Sequence, residues 1–107
     1  MRRAVIMSGP EVETLRRLGQ TLRLARLRRD LSQAELAERM GVARPTVAAL
    51  EKGNPGVGIG PLLKAMSVMG YTARLGDLLA ADPIGDDLDA VAGRKRGGRS
   101  AHHVASF

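Results

Sequence analysis

The chain has 107 residues, a net charge of +6 at pH 7 and no cysteine; 44% of its residues are hydrophobic, yet it holds one Tyr, one Phe and no Trp. That length fits one core and leaves little room for a two-domain enzyme, an aliphatic core of Leu, Val, Met and Ala favours packed helices, and the lack of cysteine excludes disulfides, thiolate metal sites and cysteine nucleophiles. No run approaches the ~20 apolar residues of a membrane span and the stretch up to Met7 is too brief for a secretion signal, so a cytoplasmic protein is expected.

The charge is uneven. Residues 1–53 carry +5 and residues 54–81 carry +1, whereas the acidic block Asp82, Asp86, Asp87 and Asp89 is cancelled by Arg94, Lys95, Arg96 and Arg99. A basic body attracts polyanions through phosphate contacts and counterion release, which puts nucleic acid first among partners; the bland alternative is charge kept for solubility.

Residues 1–10 form an arm in which Ala4–Met7 is a candidate short strand, closed by Ser8, Gly9 and Pro10, that needs a partner strand to be stable. A first helix is predicted over Glu11–Arg29, with Leu15, Leu18, Leu22 and Ala25 at helical spacing and Arg16, Arg17, Arg23 and Arg28 outward. Arg26 lies four residues after Leu22, beside the apolar stripe, and so requires a carboxylate. Ser32 followed by Glu35 is a capping box that starts a second helix at Gln33; this helix buries Leu36, Ala37 and Met40 and ends at Gly41. After the turn Gly41–Ala43, Pro45 fits the first turn of a third helix that points Val47 and Leu50 inward and stops before Gly53. Beyond the loop of residues 53–58, Ile59, Leu62, Leu63, Met66 and Met69 mark a fourth helix closed by Gly70. A short fifth helix is expected around Leu75, Leu78 and Leu79, with Tyr71 packed at the junction. Residues 81–107 show no sustained stripe and read as a flexible charged tail, which leaves residues 11–80 as the folded domain.

The segment LSQAELAERMGVARPTVAALEKG, Leu31–Gly53, carries Ser-Gln-x-x-Leu-Ala before the turn and Leu-Glu-x-Gly after it. It resembles the helix-turn-helix of the Cro/XRE family of bacterial and phage repressors. The resemblance implies an all-α, five-helix, lambda-repressor-like DNA-binding domain. The residues agree with it on physical grounds: Ala37 permits close approach of the second and third helices, Gly41 the sharp turn, and Val42 fills the angle between them. A plain helical hairpin is the alternative, and it leaves the joint match unexplained.

By this resemblance Arg26 and Glu51 form a structural ion pair, the alternative being a solvated surface pair. Gln33 reaches the DNA backbone. Arg44 and Thr46 read base edges, Arg44 by two bonds to guanine, and Ala43 makes an apolar contact. Ala48 and Ala49 stand where relatives often carry longer polar residues, so direct readout is sparse and DNA deformability must contribute. Lys52 and Asn54 are phosphate candidates, as are the amides around Gly58 and Gly60; for Lys52 a merely solvated charge is the competing reading.

The stretch from Leu18 to Leu79, with its Lys-Gly-x-Pro-x-Val segment and leucine-rich helix, is similar to HipB-like antitoxins, the partners of HipA-type serine/threonine kinase toxins. This implies a homodimer on an inverted-repeat operator in its own promoter, in the bacterial cytoplasm and at the nucleoid when bound to DNA, with the kinase as co-repressor and client. The fifth helix and the Ala4–Met7 strand are the dimer candidates. No cofactor, metal or catalytic site is expected: His102 and His103 are adjacent rather than at i, i+4, Ser100 and Ser106 lack a base, and the Asp block lacks EF-hand spacing. The alternatives are a protein-binding adaptor and a phage-type regulator without a kinase partner.

Overall fold

The computed structural model describes residues 5–93. Ala4, the basic block from Arg94, and Ser100, His102, His103 and Ser106 lie outside the described residues. The chain divides into two compact units, Met1–Leu75 and Gly76–Phe107.

In the first unit α1 spans Gly9–Arg28, α2 Gln33–Met40, α3 Arg44–Glu51 and α4 Ile59–Met69; a 3-10 turn, Arg74–Asp77, runs through the boundary, and α5 spans Pro83–Ala92 in the second unit. The fold is all-α, with five α-helices and no strand among the described residues. Two expectations are corrected here. Residues 5–8 run irregularly instead of forming a strand, since a lone strand has no ladder partner. The fifth α-helix lies not around Leu75–Leu79 but inside the stretch read as a tail. Asp82 caps it by accepting a 3.0 Å bond from the Gly85 N–H, and Pro83 fills its first position.

The helix ends follow local chemistry. Ser8 and Glu11 make a capping box that starts α1 at Gly9, two residues earlier than the stripe alone indicates, and Ser32 and Glu35 make the second box at α2. Gly41, at φ +75°, ends α2: its N–H donates to the Glu38 carbonyl and that of Val42 to the Ala37 carbonyl, a Schellman-type end.

The core of the first unit is Leu22, Leu36, Ala37, Met40, Val47, Leu50, Ala65 and Met69. Helix α2 packs on α3 and α4, and α1 on the same two. Val47 is completely buried, which fixes the inner face of α3. Gly19 lies on the α1 stripe between Leu15 and Leu22 because the backbones of α1 and α3 meet there: a Cβ at this position would stand 2.7 Å from the Glu51 carbonyl carbon and 2.8 Å from the Leu50 carbonyl oxygen. The stripes of α1 and α4 are only partly covered. Leu18, Ile59, Leu63 and Tyr71 are exposed, and Arg74 stacks over the Tyr71 ring at 3.9 Å, so the ring is not enclosed at the junction.

Candidate nucleic-acid interface

The buried anchor of α3 is at its C-terminal end. Arg26 and Glu51 are each under 10% exposed, yet both are charged, so their partners must compensate for the water they lost. Arg26 Nε donates to Glu51 Oε2 at 2.6 Å and Nη2 to Oε1 at 2.9 Å, a bidentate pair, while Nη1 donates to the Leu31 carbonyl at 2.8 Å. Gln33 Nε2 donates to Glu51 Oε1 at 3.1 Å. Among the described residues no buried side-chain nitrogen or oxygen lacks a partner. Burial alone would push the Glu51 carboxyl up, but the hydrogen bonds from Arg26 and Gln33, with the charges of Arg26 and Arg23, outweigh it and hold the group below its ordinary range. The bond to Glu51 likewise raises Arg26, against the opposing effect of burial.

The N-terminal end of α3 is open. Ala43 occupies its cap position and offers no side-chain bond, and Ala43, Arg44 and Pro45 are exposed. Helix α4 begins the same way, with Gly58 as a cap that has no side chain to give. The contrast with the boxed starts of α1 and α2 matters, because an uncapped N-terminus keeps the positive end of its dipole and whatever N–H groups have no internal partner. In α3 that is the N–H of Arg44, since Pro45 has none and Thr46 donates to the Ala43 carbonyl at 3.0 Å; in α4 it is those of Ile59 and Gly60. Between these two helix starts lies an open concavity of about 420 Å³, whose lining includes Thr46, Ala49, Asn54 and Gly58.

The sequence-predicted residues fall into three places. Ala43 at the cap and Arg44 at the start of α3 are exposed, and Thr46 in the same turn is half-buried at the edge of the concavity. Lys52 is exposed at the end of α3, and Asn54 follows in the loop, its Oδ1 accepting from the Gly56 N–H at 2.7 Å, which leaves its amide hydrogens to face outward partners. Gln33 is half-buried and commits one N–H to Glu51, keeping the second. It thereby touches the buried pair, which sequence reasoning did not foresee. Gly19 was also missed, although a glycine inside a helical stripe is itself a sign of close backbone approach.

Among the described residues no three His, Cys, Asp or Glu side chains are grouped to hold a metal ion, and no helix is long and apolar enough to cross a membrane. A search of curated proteins finds no match to this chain. The sequence model described as Helix-turn-helix matches residues 22–75, half of the chain, and spans the Arg26–Glu51 pair, the turn at Gly41 and the open start of α3. With those features in their places, the chain belongs to the helix-turn-helix family of the Cro/XRE type, a family of DNA-binding transcriptional regulators.

Proposed function

We propose that this regulator is a sequence-specific repressor that binds an inverted-repeat operator as a homodimer. The observation that carries the reading is the exposed, uncapped first turn of α3, held on the body by completely buried Val47 and by Glu51 at the opposite end. Arg44 donates two bonds to a guanine edge, Thr46 touches a base or thymine methyl, and Ala43 adds an apolar contact. Lys52, Asn54, the second N–H of Gln33 and the open amides at the start of α4 take phosphates. One such helix spans too few base pairs for useful selectivity, whereas two related by a twofold axis read half-sites about 34 Å apart.

The test is a titration of selected operator DNA at several salt concentrations. Arg44→Ala is expected to cost on the order of 1–3 kcal/mol and to relax the base preference at one position of each half-site. Lys52→Ala is expected to weaken binding evenly across sequences and to lower the salt slope. Equal affinity and equal base preference in Arg44→Ala remove that residue from recognition.

We further propose that the protein is the antitoxin of a HipBA-like module and regulates its own operon in the bacterial cytoplasm. What supports this is the segment Lys52–Val57, Lys-Gly-Asn-Pro-Gly-Val, together with the leucine-rich α4 that follows it. A HipA-like kinase frame beside the gene, whose product co-purifies with this chain and loses kinase activity in its presence, is the expected result. A neighbouring frame of another kind that does not bind this chain overturns the antitoxin reading and leaves the DNA reading intact.

A further inference from the structure

We propose that the apolar stripe of α5 docks into the groove between α1 and α4 of a second copy, each copy giving one stripe and receiving one. This deepens the homodimer reading above and rests on it.

The groove belongs to the first unit alone. A hollow of about 510 Å³ has Leu18, Leu22 and Ala25 of α1 on one wall and Met66 and Met69 of α4 on the other. A second hollow, of about 270 Å³, shares Leu18 with it and is lined by Leu15 and Ile59 together with Val5 and Met7 of the N-terminal arm. From Leu15 to Ala25 the α1 wall runs ten residues, or about 15 Å at helical rise. The rim of the larger hollow carries Arg28, Arg29 and Arg74 and no acidic residue. Arg29 is already tied across the groove end, donating to the carbonyls of Ala25 and Met69.

Helix α5 has the matching properties. It is ten residues long, hence also about 15 Å. Ile84, Leu88 and Val91 recur at i, i+4 and i+7 on one face and are 75%, 63% and 88% exposed. Its charged residues are Asp86, Asp87 and Asp89, with Asp82 at the cap and no cation. At 100° per residue Asp87 flanks the stripe, where a groove rim would lie, while Asp86 and Asp89 fall on the far side. Length, apolar face and sign of charge therefore agree with an arginine-rimmed apolar groove. A second copy is the occupant because reciprocal exchange is self-complementary. It closes at two chains, leaves neither sticky surface free, and supplies the two α3 helices that an inverted repeat requires.

Sedimentation equilibrium of the full chain tests this with single and mixed variants. The wild type is expected to be a dimer. Leu88→Asp spoils the stripe and Leu18→Glu the groove, and each is expected to raise the dimer dissociation constant at least about tenfold with helical circular dichroism unchanged. Thr21→Glu, at an exposed position on the α1 wall, serves as a second groove variant if Leu18→Glu loses helicity. Mixing a groove variant with Leu88→Asp is expected to restore dimer, since the mixed pair keeps one intact stripe and one intact groove. A monomeric wild type, the outcome if another protein covers the groove, a groove variant that dimerises normally, the outcome if α5 pairs with α5, or a mixture that stays monomeric each overturns the proposal. Arg44→Ala is expected to weaken operator binding and relax its base preference while keeping the dimer, so failure of the DNA reading and failure of the exchanged interface are distinguishable.

Discussion

Replacing Glu51 by alanine leaves Arg26, a residue 6% exposed in its wild-type setting, with only one of its three guanidinium bonds, the one to the Leu31 carbonyl, still made. Removing one partner of a buried pair costs about 3–5 kcal/mol, because a charge stays behind without compensation. Against the roughly 5–15 kcal/mol that holds a small domain together, this is a large share, and at about 4–8 °C per kcal/mol the melting point falls by more than ~12 °C. The assay is urea unfolding at pH 7 followed by circular dichroism, with a lower midpoint at an unchanged slope. The double variant Arg26→Met with Glu51→Leu is expected to recover most of the loss, since an apolar pair of similar volume often equals or exceeds a buried ion pair. A loss below about 1 kcal/mol in Glu51→Ala would show that the pair behaves as solvated surface charges, and a double variant as unstable as the single one would refute the uncompensated-charge account.

The same carboxylate sets a pH dependence. Because the folded state holds Glu51 below its ordinary 4.5, the unfolded chain binds more protons in the window between the two values; the stabilisation is fully present above 4.5 and is lost as pH falls through the folded value. Glu11 and Glu35, lowered by the backbone and hydroxyl bonds of Ser8 and Ser32, act with the same sign. Unfolding midpoints are therefore expected to drop below pH 4.5, and Glu51→Gln to show a shallower drop than the wild type. Two glycines separate steric from conformational cost. Gly19→Ala drives a Cβ into the backbone of Leu50 and Glu51 and is expected to lose about 1–3 kcal/mol, although alanine normally favours a helix. Gly41→Ala meets nothing within 4 Å and loses only the roughly 1–2 kcal/mol of a left-handed residue, so Gly41→Asn is expected to recover stability whereas Gly19→Asn is not.

What was legible in the sequence was the chemistry of neighbours along the chain. Ser32 and Glu35, Gly41 and Pro45 each act over three or four residues, so the limits of α2 and α3 were readable. The same rule applied to Ser8 and Glu11, but the apolar run before them and the glycine between them resembled the end of a strand. Asp82 and Pro83 were hidden in the same way by the acidic composition around them. The bond from Gln33 to Glu51 joins residues eighteen apart and depends on how α2 meets α3, which no periodicity specifies. Periodicity also marked Leu18, Ile59 and Leu63 as apolar without saying what covers them, and in α4 the more deeply buried residue is Ala65, whose small side chain gives a weak pattern signal.

The two ends of α3 are under different physical control. At its C-terminal end Glu51 is bonded to α1 through Arg26 and to α2 through Gln33, and the α1 backbone at Gly19 lies against its carbonyl. Those contacts tie three helices together and set the direction in which α3 projects. At its N-terminal end Ala43, Arg44 and Pro45 are exposed and no side chain caps the helix. Substitutions there remove little packing and so cost the fold little, typically within ±0.5 kcal/mol at such surface positions. A change at Arg44 should then alter what α3 recognises without altering how it is held, whereas a change at Glu51 should alter both. Comparing the unfolding midpoint and DNA affinity of Arg44→Ala with those of Glu51→Ala measures that division directly. If Arg44→Ala destabilised the fold as much as Glu51→Ala does, recognition and support would not be separable along this helix.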